Sequence, residues 1–164
     1  MATTCTLLEA RSEPELDHVR ALFSEYAAWL DQHDPQGVDL CFQGFEQELG
    51  SLPGNYASPR GCLLLAVCDQ TAAGCVGVRP LEAQTAELKR LFVRTQFLGQ
   101  GVGKALLRAA LKAAKRAGYQ RLRLDTLPYM EAAIALYTHH GFHTIEPYYD
   151  SPIRGTIYME AALA

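Results

Sequence analysis

The chain has 164 residues, 49% of them apolar and 20% charged, with a formal net charge of −3 at pH 7 and a pI of about 5.9. That size fits one domain, residues 1–164, large enough to bury a core and leave a cleft. The charge argues against a sequence-independent grip on nucleic acid, which needs a dense excess of Lys and Arg to displace counterions. No run approaches the roughly 18 apolar residues of a membrane span, and MATTCTLLEARSEPE lacks the basic and apolar regions of a secretory leader. No membrane association is expected, and the expected location is cytoplasmic.

In chain order, Cys5 to Ala10 reads as a strand. Ser12 and Glu15 then have capping-box spacing, and Leu16, Val19, Phe23, Tyr26 and Leu30 follow a helical stripe, so a helix is predicted over Glu13 to Leu30. The stretch from Asp31 to Pro59 is rich in Gly, Pro, Asp and Asn and reads as loop around a short helix, Phe42 to Leu49, packed through Phe42, Phe45 and Leu49. Three apolar segments follow, Gly61 to Asp69, Ala72 to Leu81 and Ala86 to Arg94, separated by turn residues as in an antiparallel meander. Regular alternation in the third would put Leu88, Arg90 and Phe92 on one face, and Glu87, Lys89, Leu91 and Val93 on the other.

Next comes the turn Gly99-Gln100-Gly101-Val102-Gly103, then a helix with an apolar face (Leu106, Leu107, Ala110, Leu111, Ala114, Ala117) and a basic one (Lys104, Arg108, Lys112, Lys115), stopped by Gly118. Arg121 to Thr126 is the next strand, parallel to the one before the helix because a crossover joins them. Tyr129 to His140 is a helix ended by Gly141, and Phe142 to Glu146 and Gly155 to Ala161 close the chain as strands. This order is an α+β fold: a central mixed, mostly antiparallel sheet of about seven strands with about four helices.

The five cysteines, Cys5, Cys41, Cys62, Cys68 and Cys75, are odd in number and scattered, which reads as buried thiols acting as small hydrophobes. CxxC spacing does not occur, and His139, His140 and His143 straddle a helix end and a turn, so that their side chains diverge and no metal is expected.

The glycine turn carries the chemistry. Between a strand and a helix, missing side chains let backbone N–H groups close on an anion, and the helix dipole adds about half a positive charge. A Walker loop is disfavoured, because Gly103-Lys104 is followed by Ala105 and Leu98 stands where the first glycine belongs. A dinucleotide site needs GxGxxG, whereas the glycines here run GxGxG. Asp125 does lie where an acidic residue would take a ribose hydroxyl, but no second mononucleotide half follows.

The segments ELKRLFV, FLGQGVGKALL, RLRLDT and AAIALYTHHGF, between Glu87 and Phe142, resemble the GNAT superfamily of N-acetyltransferases in motif, spacing and order. The resemblance implies acetyl-CoA as cosubstrate. Leu91, Phe92 and Val93 would meet the pantetheine, and Gly99, Gln100, Gly101, Val102, Gly103 and Lys104 would surround the pyrophosphate. Two positions depart from the family's usual pattern. Leu98 stands where Arg or Gln is usual, leaving any phosphate grip there to backbone amides, and Met130 stands where Asn often contacts the pantetheine.

Acyl transfer to an amine needs a neutral amine, a stabilised oxyanion and a proton for the departing thiolate. The resemblance makes Tyr137 the general acid, since a phenol with a reference pKa of about 10 stays protonated at neutral pH. It makes Glu87 a candidate proton acceptor, with a strand carboxylate paired to Lys89 or Arg123 as the equal alternative. A backbone N–H of Phe92 or Val93 would meet the thioester oxygen. In the flanking loops Asp31, Asp34, Asp39, Glu46 and Asp150 could attract a cationic amine, and Tyr148 and Tyr149 could wall the cleft.

The implied activity is transfer of an acetyl group to a primary amine of a small molecule. A non-catalytic acyl-CoA-binding or sensing module and a protein-lysine acetyltransferase stand as alternatives. A homodimer is a family-level expectation.

Overall fold

The computed structural model describes residues 3–40 and 44–163. In chain order the elements are β1 (Cys5–Glu9), α1 (Glu13–His33), α2 (Phe45–Ser51), β2 (Cys62–Cys68), β3 (Thr71–Glu82) and β4 (Thr85–Val93). There follow α3 (Val102–Arg116), β5 (Arg121–Thr126), α4 (Glu131–His139), β6 (His143–Ile145) and β7 (Ile157–Ala162). The predicted order holds throughout. The capping box forms as read: Ser12 Oγ accepts from the Glu15 N–H while Glu15 Oε1 accepts from the Ser12 N–H. Helix α1 continues past Leu30 to His33, and α2 is observed from Phe45; Cys41 and Phe42 lie outside the described residues.

One sheet runs through the molecule in the order β1-β2-β3-β4-β5-β7-β6, with β4 and β5 its one parallel pair. The crossover helix α3 covers one face. There Leu106, Leu107 and Ala110 pack on Leu64, Val76, Val78 and Leu122. Helices α1 and α2 cover the other, where Val19, Leu22 and Phe23 meet Leu63, Leu65 and Cys75.

Two expectations are corrected. Leu88 and Phe92 do not share a face: Leu88 packs in the α3 cluster with Leu91 and Val93 beside it, whereas Phe92 packs against the α1 cluster. The cause is a β-bulge. Cys75 pairs with Phe92 and Gly77 with Lys89, so Arg90 and Leu91 together oppose Val76, and Arg90 takes φ +61°. The extra residue resets the alternation, and Lys89 and Arg90 both reach the α1 side, to Asp125 and Glu48 respectively.

The second correction concerns the thiols. Cys5 and Cys68 form a disulfide, because the β1–β2 register sets them directly opposite one another. Cys62 and Cys75 remain free, half-buried and buried.

Candidate active site

Strands β4 and β5 pair only from Thr85–Arg121 to Glu87–Arg123 and then separate. Beyond that point β4 is held by β3 on one side and β5 by β7 on the other, so the inner edges of both strands have no ladder partner in the cleft. The bulge lies at the root of this cleft and moves Leu91, Phe92 and Val93 off regular register on its wall. All three are half-buried.

Below Val93 the chain turns through Thr95–Phe97 into the glycine segment. Gly99 has φ +76° and Gly101 φ +81°, the left-handed region where a side chain is strained. Around both, a Cβ would meet nothing within 4 Å, so backbone conformation rather than crowding selects glycine. Gly101 caps α3 with no side-chain hydrogen bond, and among the described residues the N–H groups of Gly101, Val102, Gly103 and Lys104 have no acceptor. Gly103 is helical, and a Cβ there would make ordinary contacts with Val93 and Leu136. Gln100 turns its side chain back to the Gln96 carbonyl, at 3.2 Å. Lys104 is exposed, and Leu98 is 60% exposed, the one large apolar side chain left in solvent among the described residues.

Tyr137 comes from α4 and is 5% exposed, its ring tilted against Phe142. It lines a small cavity at the root of the cleft with Leu88, Lys89, Leu91 and Asp125. Its hydroxyl makes no hydrogen bond to a described residue. Burial raises its pKa, reinforced by the neighbouring Tyr26 and Asp125, so the phenol stays protonated at neutral pH. Met130 precedes α4, and its sulfur accepts from the Thr126 hydroxyl at 3.6 Å.

Glu87 is 3% exposed and held in place. Its Oε1 accepts from Arg79 (Nε 3.0 Å, Nη2 2.9 Å) and its Oε2 from the Tyr148 hydroxyl at 2.7 Å. The partner is thus Arg79. Lys89 lies 3.5 Å from Asp125, and Arg123 bonds Glu160 and Glu82. Arg79 also approaches Glu48, and Glu48 receives Nε and Nη2 of the buried Arg90 at 3.0 and 3.2 Å. Burial lowers the pKa of Lys89, and the facing Asp125 and Glu87 carboxylates offset part of that shift.

The segment joining β6 to β7 closes this side. Tyr148, Tyr149 and Tyr158 stack edge to face, with Tyr149 donating to Asp125 Oδ2 at 2.6 Å. Of the loop acids, Asp31 accepts from the Val38 N–H, and Asp34 accepts from the Gln36 N–H and the Tyr129 hydroxyl. These carboxylates shape the loop.

The acetyltransferase (GNAT) family profile matches residues 16–142, which takes in α1, the bulged strand, the glycine turn and Tyr137. The chain belongs to this family. It is an acetyltransferase. An uncharacterised N-acetyltransferase of Schizosaccharomyces pombe is 35% identical over 152 residues, 92% of this chain and 90% of that one. N-acetyltransferase 8 of Homo sapiens is 35% identical over 101 residues, 58% of this chain and 44% of that one. Among solved structures, a GNAT-family acetyltransferase of Staphylococcus aureus superposes with a TM-score of 0.79 at 19% identity, over 98% of this chain and 100% of that one. The PaiA N-acetyltransferase of Thermoplasma acidophilum, determined in complex with coenzyme A, gives 0.74 at 19% identity, over 97% and 99%.

Of the residues singled out from the sequence, Leu91 and Tyr137 line one cavity, Phe92 and Val93 lie on the same strand, Glu87 stands at the point where β4 and β5 part, and the glycine turn opens α3. Sequence reasoning missed the ionic set around Glu87: Glu48, Arg79, Lys89, Arg90 and Asp125. The available signal was Lys89-Arg90 itself. Two adjacent cations in a strand flanked by Leu88, Leu91 and Phe92 must find anions or leave the interior.

Proposed function

We propose that this GNAT protein transfers an acetyl group from acetyl-CoA to a primary amine of a small molecule by direct attack on the thioester. The observation that carries the reading is the β4–β5 cleft. The unpaired β4 edge borders it, Tyr137 lines its root together with Lys89 and Asp125, and the bare N-terminus of α3 follows β4 in the chain. The fit to the cosubstrate rests on two features of this chain: four N–H groups without acceptors for the pyrophosphate, contributed by Gly101 to Lys104, and a free strand edge at Leu91 to Val93 for the amides of the pantetheine. Gly99, Gln100 and the exposed Leu98 would flank the phosphates without a cationic side chain. Met130 would border the arm through its thioether.

Bound acetyl-CoA supplies an activated carbonyl. Tyr137, kept protonated by burial, gives its proton to the departing sulfur, and a β4 N–H at Phe92 or Val93 stabilises the oxyanion. An amine with a reference pKa of about 10.4 must lose a proton before attack. Two carboxylates stand on the acceptor side for this, the expected Glu87 and Asp125. Leu40 and Tyr149 wall the cavity beside Asp125, and the loop from Asp34 to Asp39 borders the β6–β7 connection at Pro152 to Arg154; walls of this kind favour a small acceptor over a protein lysine.

Release of free thiol from acetyl-CoA across a panel of amines tests the reading, with Tyr137→Phe as the control. Turnover should fall about 100-fold, the scale of a lost general acid, while coenzyme A affinity by calorimetry stays within a few-fold. Absence of thiol release above hydrolysis with every amine would sink it.

A further inference from the structure

Asp125 stands where two cavities meet. One lies at the root of the cleft with Tyr137 and Leu91 in its wall. The other opens between α1 and the β6–β7 connection, where Leu30, Leu40, Leu127, Met130 and Ile153 share the wall with Arg90, Thr126, Ser151 and Thr156. Tyr26, Arg90 and Asp125 line both, and Asp125 is the one carboxylate found in either wall. Its Oδ2 is held by Tyr149 at 2.6 Å and faces Lys89 Nζ at 3.5 Å. Its Oδ1 has no partner among the described residues. The one sealed, unpartnered side-chain polar atom among them is the Tyr56 hydroxyl, so Oδ1 is accessible. Glu87 differs in every respect: its side chain is 4% exposed, both oxygens are engaged, and it lines neither cavity.

We propose that Asp125, rather than Glu87, binds the acceptor's ammonium group and takes up its proton. The proposal rests on the acetyl-transfer reading above and names the acceptor side of that same site. The ammonium gives one proton to Asp125 Oδ1, and the neutral nitrogen forms the C–N bond to the thioester carbonyl carbon. The C–S bond breaks with its electron pair passing to sulfur, which takes the Tyr137 proton. The nitrogen's second proton leaves as the amide forms and restores Tyr137, and Asp125 returns its own proton to water. Glu87 acts at one remove, fixing Arg79 and the Tyr148 ring that packs on Tyr149.

The groups facing Asp125 are Lys89, Arg90 and Glu87 from β4, Tyr26 from α1, Tyr137 from α4, Tyr148 and Tyr149 from the β6–β7 connection, and Tyr158 from β7. Arg90 is already neutralised by Glu48, and burial disfavours the charged form of Lys89. Lys89 faces Oδ2, which leaves Oδ1 as the atom without a partner among the described residues.

The test uses benzylamine as the probe amine. Calorimetric binding of benzylamine to the protein without cosubstrate should weaken about tenfold in Asp125→Asn, the scale of a lost charged hydrogen bond, with Asp125→Glu restoring part of it. With acetyl-CoA, kcat/KM of Asp125→Asn should fall about 100-fold, and its logarithm should rise with a slope of one up to the pKa of the amine, because only amine already neutral in solution reacts. Thermal unfolding of both variants establishes that they fold, and Asp125→Glu carries the comparison if the Asn variant does not. Unchanged benzylamine affinity and a wild-type pH profile in Asp125→Asn, with the slope-one profile appearing in Glu87→Gln instead, would overturn the assignment. A wild-type protein that binds benzylamine through Asp125 yet releases no thiol with any amine would overturn the transfer reading alone.

Discussion

The two faces of the central sheet bury comparable apolar clusters, yet only one of them also buries charge. Under α3 the strands present Leu64, Val76, Val78, Leu88 and Leu122 to Leu106 and Leu107, and Tyr137 is the polar visitor at the edge. Under α1 and α2 the same strands present Arg79, Glu87, Lys89 and Arg90 alongside Leu63, Leu65 and Phe92. Each of these charges meets a partner supplied from far along the chain: Glu48 for Arg90, 42 residues away, and Asp125 for Lys89, 36 away. Tyr148 bonds Glu87 from 61 residues away. A buried charge is tolerated only when paired, so the ionic face is built to a pattern of long-range contacts. The α3 face needs little more than apolar volume at helical spacing.

Removing a charge should therefore cost more than trimming the apolar face by a comparable group. The largest expected effect is from Glu48→Ala, which leaves the Arg90 guanidinium, 3% exposed, without its bidentate partner; a loss of about 3–5 kcal/mol is expected in denaturant unfolding. Restoration of most of that loss by Arg90→Met in the double variant would confirm that the penalty is the orphaned charge. On the other face, Leu106→Ala removes a side chain with no exposure. It should cost about 2–5 kcal/mol, scaled by the cavity left, with kcat untouched in the folded fraction. If Glu48→Ala proved the milder of the two, the contrast between the faces would fail.

Smaller effects probe where the α3 face ends in the turn. Gly101→Ala forces a side chain into φ +81° and should cost about 1–2 kcal/mol. It should also weaken coenzyme A binding, since the N–H groups beside it would be re-aimed; unfolding curves and calorimetry separate the two losses. Smallest is Leu98→Arg. With the side chain 60% exposed, stability should change by no more than about 0.5 kcal/mol. Coenzyme A affinity should rise several-fold and the gain should fade with salt, because a screened guanidinium–phosphate contact is being added. Unaltered affinity in low salt would place the phosphates away from this side chain.

Much of the fold was legible in the letters because its determinants are local. Capping at Ser12 and Glu15, the stripe along α1, the amphipathic α3 and the strand-length apolar run of β2 each depend on neighbours within a few residues. The positive φ of Gly99 and Gly101 follows from local chemistry in the same way. Where the reading failed, the determinant was pairing. The bulge at Arg90 depends on which β3 residues lie opposite β4, so regular alternation put Leu88 and Phe92 on one face when they lie on two. The Cys5–Cys68 bond depends on the β1–β2 register, and spacing alone left both as thiols.

The site divides along the same line. The elements proposed to hold the cosubstrate, the strand, the glycine turn, the helix start and Tyr137, were legible in the chain by itself, because one short run of sequence contributes most of them and each has its own conformational signature. The contacts on the proposed acceptor side were decided only by the tertiary structure. Whether a carboxylate there is available for chemistry or spent on structure depends on what the fold brings against it. Arg79 and Tyr148 occupy both oxygens of Glu87, whereas Tyr149 and Lys89 leave one oxygen of Asp125 open to the cavity.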